Sequence, residues 1–148
     1  MTATGAEDRP GVAGTAGDDD LVRAAWEARE GAYAPYSRFL VGAAVRTKGG
    51  HVFTGANVEN ASYSVAICAE RVAVFKAISE GHRSFKRVAV VADTAEPTPP
   101  CGACRQILWE FGGDLEVILG NLSGEKARYQ LKDLLPHPFD ARLLSEQL

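Results

Sequence analysis

The sequence has no surplus of basic residues: 16 Lys and Arg stand against 19 Asp and Glu, for a formal charge of −3. A nucleic-acid binder normally presents a basic face, so this balance argues against a nucleic-acid partner. No apolar run approaches the roughly 20 residues that a membrane span requires, so no membrane association is expected. No basic stretch followed by an apolar one opens the chain, which gives no sign of a secretory leader and makes the cytoplasm the expected compartment. Cysteine is scarce, with three among 148 residues. An odd count with no export signal speaks against a disulfide framework. Three thiols in a reducing compartment then need another explanation.

What is present suits one domain with its own core. Residues Met1 to Asp18 are rich in Gly, Ala, Thr and Asp without apolar periodicity and read as a disordered tail, leaving residues 19–148 as a single domain. Asp18, Asp19 and Asp20 precede Leu21, Val22, Ala25 and Trp26, which predicts a helix from about Asp20 to Gly31 with acidic residues at its positive end. Phe39–Thr47 and His51–Val58, joined by Gly49-Gly50, predict a β-hairpin. Val65–Glu80 has helical spacing and ends at Gly81. Arg87–Ala92 and Leu115–Leu119 are short apolar runs of the kind found in buried strands. Between them, Cys101–Phe111 predicts a helix stopped by Gly112-Gly113. Ala127–Leu131 is an edge-strand candidate, and Leu131–Leu135 and Asp140–Leu148 are short helical pieces. The order α-β-β-α-β-α-β implies an α/β sandwich around a mixed sheet.

All three cysteines fall in two short motifs, Cys68-Ala69-Glu70 and Pro100-Cys101-Gly102-Ala103-Cys104. Both lie at or near the start of a predicted helix, where the helix dipole favours a metal-binding thiolate. Two sulfurs spaced C-x-x-C can grip one ion from a single turn. Three protein ligands leave one tetrahedral place open, as catalytic zinc sites do, and zinc lowers the pKa of water there to about 7. Such a site needs a proton shuttle that is not itself a ligand, and Glu70 is placed to be one. The combination of a Cys ligand, a Glu two residues on and P-C-x-x-C is the signature of zinc deaminases. Three thiolates around zinc and hydroxide carry net negative charge. Arg71 and Arg105, each adjacent to a motif residue, are candidates to donate hydrogen bonds to sulfur and offset it. Two other readings stay open on the residues themselves. One is a thioredoxin-like redox pair at Cys101 and Cys104. The other is a structural zinc closed by His51, His82 or His137, each of which otherwise reads as an ordinary surface or core histidine.

From about Leu21 to Phe139 the chain resembles the small homotetrameric zinc-dependent cytidine deaminases. The resemblance rests on Tyr36-Ser37-x-Phe39-x-Val41-Gly42-Ala43-Ala44, Gly55-x-Asn57-Val58-Glu59-Asn60-Ala61-Ser62-Tyr63, Cys68-Ala69-Glu70-Arg71, Pro100-Cys101-Gly102-Ala103-Cys104-Arg105-Gln106 and Leu134-Leu135-Pro136-x-x-Phe139, in that order. It implies a three-layer α/β/α sandwich with a mixed five-stranded sheet, one zinc ion per subunit and a nucleoside substrate. It implies that Asn57 and Glu59 hydrogen-bond the ribose, that Phe39 lines the pocket, and that Ala69 and Glu70 read the base. It also implies a homotetramer, in which Tyr63 lies near a subunit boundary and Phe139 packs over the base of a neighbour's site.

The expected reaction is hydrolytic deamination of cytidine and 2′-deoxycytidine to uridine and 2′-deoxyuridine, with release of ammonia. Glu70 would carry protons from water to the pyrimidine N3 and then to the leaving amino group. The rivals are a deaminase of a modified nucleoside such as blasticidin S, an editor of cytosine in polynucleotides, and a zinc-stabilised module without catalysis. The N-V-E-N-A-S stretch argues against the first, the negative charge against the second, and Glu70 against the third.

Overall fold

A computed structural model describes residues 14–145. In chain order they form α1 (Gly14–Arg29), β1 (Val41–Thr47), β2 (Val52–Ala56), a 3-10 turn (Tyr63–Val65), α2 (Ala69–Ser79), β3 (Phe85–Ala92), α3 (Gly102–Gly112), β4 (Glu116–Gly120), β5 (Lys126–Gln130), α4 (Leu131–Leu134) and α5 (Ala141–Ser145). The sheet order is β2-β1-β3-β4-β5. Only β3 and β4 pair in parallel, because α3 carries the chain between them; the other neighbours are antiparallel. No described helix is long and apolar enough to cross a membrane.

The strands alternate their buried faces. Ala44, Ala89, Val91 and Ile118 meet Leu21, Val22 and Ala25 of α1 on one side. Val45, Val88, Val90, Val117 and Leu119 meet Ala69, Ala73 and Ala77 of α2 and Leu108 of α3 on the other. Both faces of the central strands are covered, which explains their unbroken apolar runs. The result is the three-layer α/β/α sandwich with a mixed five-stranded sheet expected above.

Two expected boundaries are corrected. The first helix begins at Gly14, not Asp20, inside the segment read as a tail; residues 1–13 of that segment lie outside the described residues. The aspartates therefore do not cap it. Asp18 pairs with Arg87 at 3.1 Å and with Arg128, and Asp19 with Lys126 at 2.7 Å, tying α1 to β3 and β5. Helix α2 begins at Ala69, not Val65. Ile67 is held in an extended bridge with Val58, through Val58 N–H to Ile67 O at 3.0 Å and Ile67 N–H to Val58 O at 2.9 Å, so helix cannot start before it.

Gly42 shows how closely α1 lies on the sheet. A Cβ there would fall 2.0 Å from Ala25 O and 2.8 Å from Arg29 N, both backbone atoms that cannot step aside. Gly42→Ala should therefore destabilise the fold by about 3 kcal/mol or more, the scale of overpacking against backbone. A urea melt that leaves the midpoint unchanged would contradict this packing.

Candidate metal centre and active site

The local chain geometry places the three sulfurs. Cys68 is the N-cap of α2 and Cys101 the N-cap of α3, both in extended conformation with ψ of 153° and 169°. Each carbonyl opens its helix, Cys68 O accepting from Val72 N–H at 3.1 Å and Cys101 O from Arg105 N–H at 3.0 Å. Cys104 lies one turn into α3 and is fully buried. The Cys68 and Cys101 sulfurs are 3.9 Å apart, those of Cys101 and Cys104 3.3 Å, and all three lie within 4.8 Å of one another. A tetrahedral ion with Zn–S bonds of about 2.3 Å separates its sulfurs by about 3.8 Å, so the cluster fits zinc in size and in ligand softness. No histidine, aspartate or glutamate joins the sulfurs among the described residues, which leaves the closed structural site without a fourth ligand.

Arg71 lies three residues after Cys68, so the two side chains share a helix face. Its Nη2 donates to Cys68 Sγ at 3.2 Å. The Cys68 thiol is lowered to about 5, first by hydrogen bonding from Cys104 and then by Arg71 against the cost of burial. Donating to that thiolate holds the Cys104 proton in place and raises its pKa. Glu70, in the first turn of α2, is 4% exposed. Burial pushes its carboxyl up to about 7, and the neighbouring Cys68 charge adds to the rise. Arg105 behaves differently from the expectation. One residue past Cys104, it points about 100° around the helix, and its guanidinium donates to Pro100 O and Leu134 O, both at 2.8 Å. It ties two backbone segments together rather than contacting sulfur.

A cavity of about 240 Å³ opens beside the sulfurs. Phe39, Asn57, Glu59, Cys68, Ala69, Glu70 and Cys101 all line it. Asn57 is fixed by the chain start of β1: its Oδ1 accepts from Val41 N–H at 2.9 Å and its Nδ2 donates to Phe39 O at 2.7 Å. One further donor and one further acceptor of the amide remain. Glu59 accepts from Tyr36 N–H at 2.9 Å, Ser37 N–H at 3.1 Å and the Ser37 hydroxyl, which lowers its pKa. A short ladder carries this wall: Tyr33 N–H bonds Asn57 O at 2.9 Å and Glu59 N–H bonds Tyr33 O at 2.8 Å. Tyr63 and Phe139 are not part of the cavity lining. They are 74% and 55% exposed, and Tyr63 packs edge-on against Tyr36. The structure also brings in residues not singled out in the sequence, among them Ile67, Val90, Thr98 and Pro99. The position of Thr98 and Pro99 just before Pro100-Cys101 was a usable signal; nothing local marks Val90 out from other strand valines.

The family model for the cytidine and deoxycytidylate deaminase zinc-binding region matches residues 16–120. The chain belongs to the cytidine deaminase family. It is 54% identical over 127 residues to a cytidine deaminase of Halalkalibacterium halodurans, covering 85% of this chain and 96% of that one. The crystal structure of a cytidine deaminase from Burkholderia pseudomallei superposes with a TM-score of 0.80 at 52% identity, covering 82% of this chain and 98% of that one. A blasticidin-S deaminase of Bacillus cereus is more distant, 29% identical and covering 65% of this chain and 74% of that one. The membership accounts for the three-sulfur cluster as a zinc site.

Removing the Arg71 hydrogen bond should loosen that site. Arg71→Gln is expected to lower zinc affinity or turnover by about 10- to 100-fold, the usual effect of removing a group that supports a ligand. Competition with a chromogenic chelator measures the first and a deamination assay the second; unchanged values in both would show that Arg71 is only a surface residue.

Proposed function

We propose that this chain deaminates cytidine and 2′-deoxycytidine hydrolytically to the uridine nucleosides, releasing ammonia, as a cytoplasmic homotetramer of pyrimidine salvage. The reading is carried by one arrangement: three converging sulfurs and a buried carboxyl on the wall of the same small cavity. Curated relatives that share half of its residues bear the name cytidine deaminase. The free cysteines suit a reducing compartment.

Cys68, Cys101 and Cys104 would hold the zinc ion. When bound, zinc supplies Lewis acidity and lowers the pKa of a water to about 7, which makes a nucleophile at neutral pH. Glu70 takes a proton from the attacking water and gives it to N3 of the pyrimidine. Attack at C4 leaves the 4-amino group to depart. Glu70 carries the second proton from the hydroxyl now on C4 to that nitrogen, the C4–N bond breaks as the C4 carbonyl forms, ammonia leaves, and the carboxylate is regenerated for the next cycle. Ala69, at the first position of α2, offers its backbone to the base beside Glu70. The remaining donor and acceptor of Asn57 and the remaining lone pair of Glu59 suit ribose hydroxyls, which both donate and accept. Phe39 closes the apolar side of the pocket. The exposure of Tyr63 and Phe139 supports a role for both at subunit boundaries, with Phe139 over the base of a neighbour's site.

Glu70→Ala should keep its zinc and lose turnover by at least about 10²- to 10⁴-fold, the range for a general acid–base group. An absorbance assay with cytidine, deoxycytidine, CMP and blasticidin S reads this directly. Near-normal kcat in the variant, or a preference for blasticidin S in the parent, would overturn the assignment.

A further inference from the structure

Helix α3 carries two of the sulfurs at its start, and three of its later side chains bind the stretch from the end of α4 to Asp140. Arg105 donates to Leu134 O at 2.8 Å. Trp109 Nε1 donates to Asp140 Oδ2 at 3.1 Å. Between them, Gln106 uses both ends of its amide on a single residue: Nε2 donates to Phe139 O, and Oε1 accepts from Phe139 N–H at 3.3 Å. This copies the pair of hydrogen bonds that a strand neighbour would make.

The irregular residues 135–140 need such a partner. Pro136 and Pro138 have no N–H to donate, so they cannot join a ladder of their own. The Phe139 ring is more than half exposed and gives its own residue little anchorage in this chain. Its position is set through its backbone, and the backbone is held by Gln106.

We propose that Gln106 is a positioning residue for substrate binding, holding the backbone of Phe139 against α3 so that its ring is presented outward in one place. The proposal rests on the reading above that Phe139 packs over the nucleobase in a neighbouring subunit's site. Gln106 stands two residues past Cys104 on α3, so the backbone that carries the ring is tied to a helix packed on the sheet. Holding an apolar ring in place before substrate arrives removes part of the ordering cost of binding. A defect in this clasp therefore weakens substrate binding and leaves the chemical step intact.

The test is a double-mutant cycle on the zinc-loaded enzyme with Gln106→Ala, Phe139→Ala and the double variant, using cytidine. Loss of the two hydrogen bonds should raise KM about tenfold with kcat within about twofold. Zinc content and oligomeric state should match the parent. Phe139→Ala should raise KM as well, and the double variant should have no higher KM than Phe139→Ala, because Gln106 acts only through that ring. Gln106→Glu keeps the acceptor for Phe139 N–H but sets a carboxylate oxygen against Phe139 O, so it should raise KM at least as much as Gln106→Ala. It runs through the same cycle should the alanine variant fail to fold. Multiplying KM effects, or a fall in kcat at constant KM, would overturn the role of Gln106 and leave that of Phe139 standing. An unchanged KM in Phe139→Ala would overturn both.

Discussion

The meeting of three sulfurs within 4.8 Å governs the design of this domain. Three thiolates would repel one another, and without a cation only weak S–H···S contacts reward their proximity, so the rest of the structure must hold the chain there. Two helix starts do the holding. Cys68 and Cys101 sit at N-caps, where the peptide dipoles favour negative charge, and Cys104 is locked one turn further along. The central strands fix both helices on one face of the sheet. Gly55 on β2 lets α2 approach to within contact distance of backbone, since a Cβ there would stand 2.5 Å from Ala73 N. The bridge between Val58 and Ile67 then delivers Cys68 in the extended conformation a cap requires.

Electrostatics follow from the same placement. The carboxyl of Glu70 enters the buried first turn of α2 as a consequence of standing two residues after Cys68. Burial raises its pKa, and the sulfur charge raises it further. Arg71 is the counterweight, reaching back to Cys68 Sγ along the helix face. A sulfur, a buried carboxyl and a compensating cation thus fall within positions 68–71, and the other two sulfurs come from the start of α3. The cavity wall opposite is built from β-type backbone, with Asn57 and Glu59 spending part of their hydrogen-bonding capacity on the loop before β1 and the first residue of that strand.

Much of this was legible in the residues. The spacing of Cys68, Glu70, Cys101 and Cys104 identified the site because three sulfurs, one open place and a spare carboxylate admit few chemistries. Arg71 followed from charge balance, since an anionic cluster needs a cation in reach. The same argument chose Arg105 and was mistaken there: adjacency in sequence does not survive a turn of 100° on a helix. The aspartates before Leu21 looked like caps because local propensity cannot see Arg87 and Arg128, which are distant in the chain and adjacent in the fold. Val65 looked helical for the same reason, its spacing being right and the bridge at Ile67 being a long-range pairing. The clasp of Gln106 on Phe139 was outside the reach of periodicity altogether, because it joins a helix to an irregular segment 33 residues away.

The central claim is that one zinc ion, held by these three sulfurs, is what makes the chain an enzyme. Titrating zinc into chelator-stripped protein while following cytidine turnover in the same sample tests it most directly. The account predicts that activity rises in proportion to bound zinc and levels off at one ion per chain. Full turnover in zinc-free protein, or a plateau reached at a different stoichiometry, would contradict it.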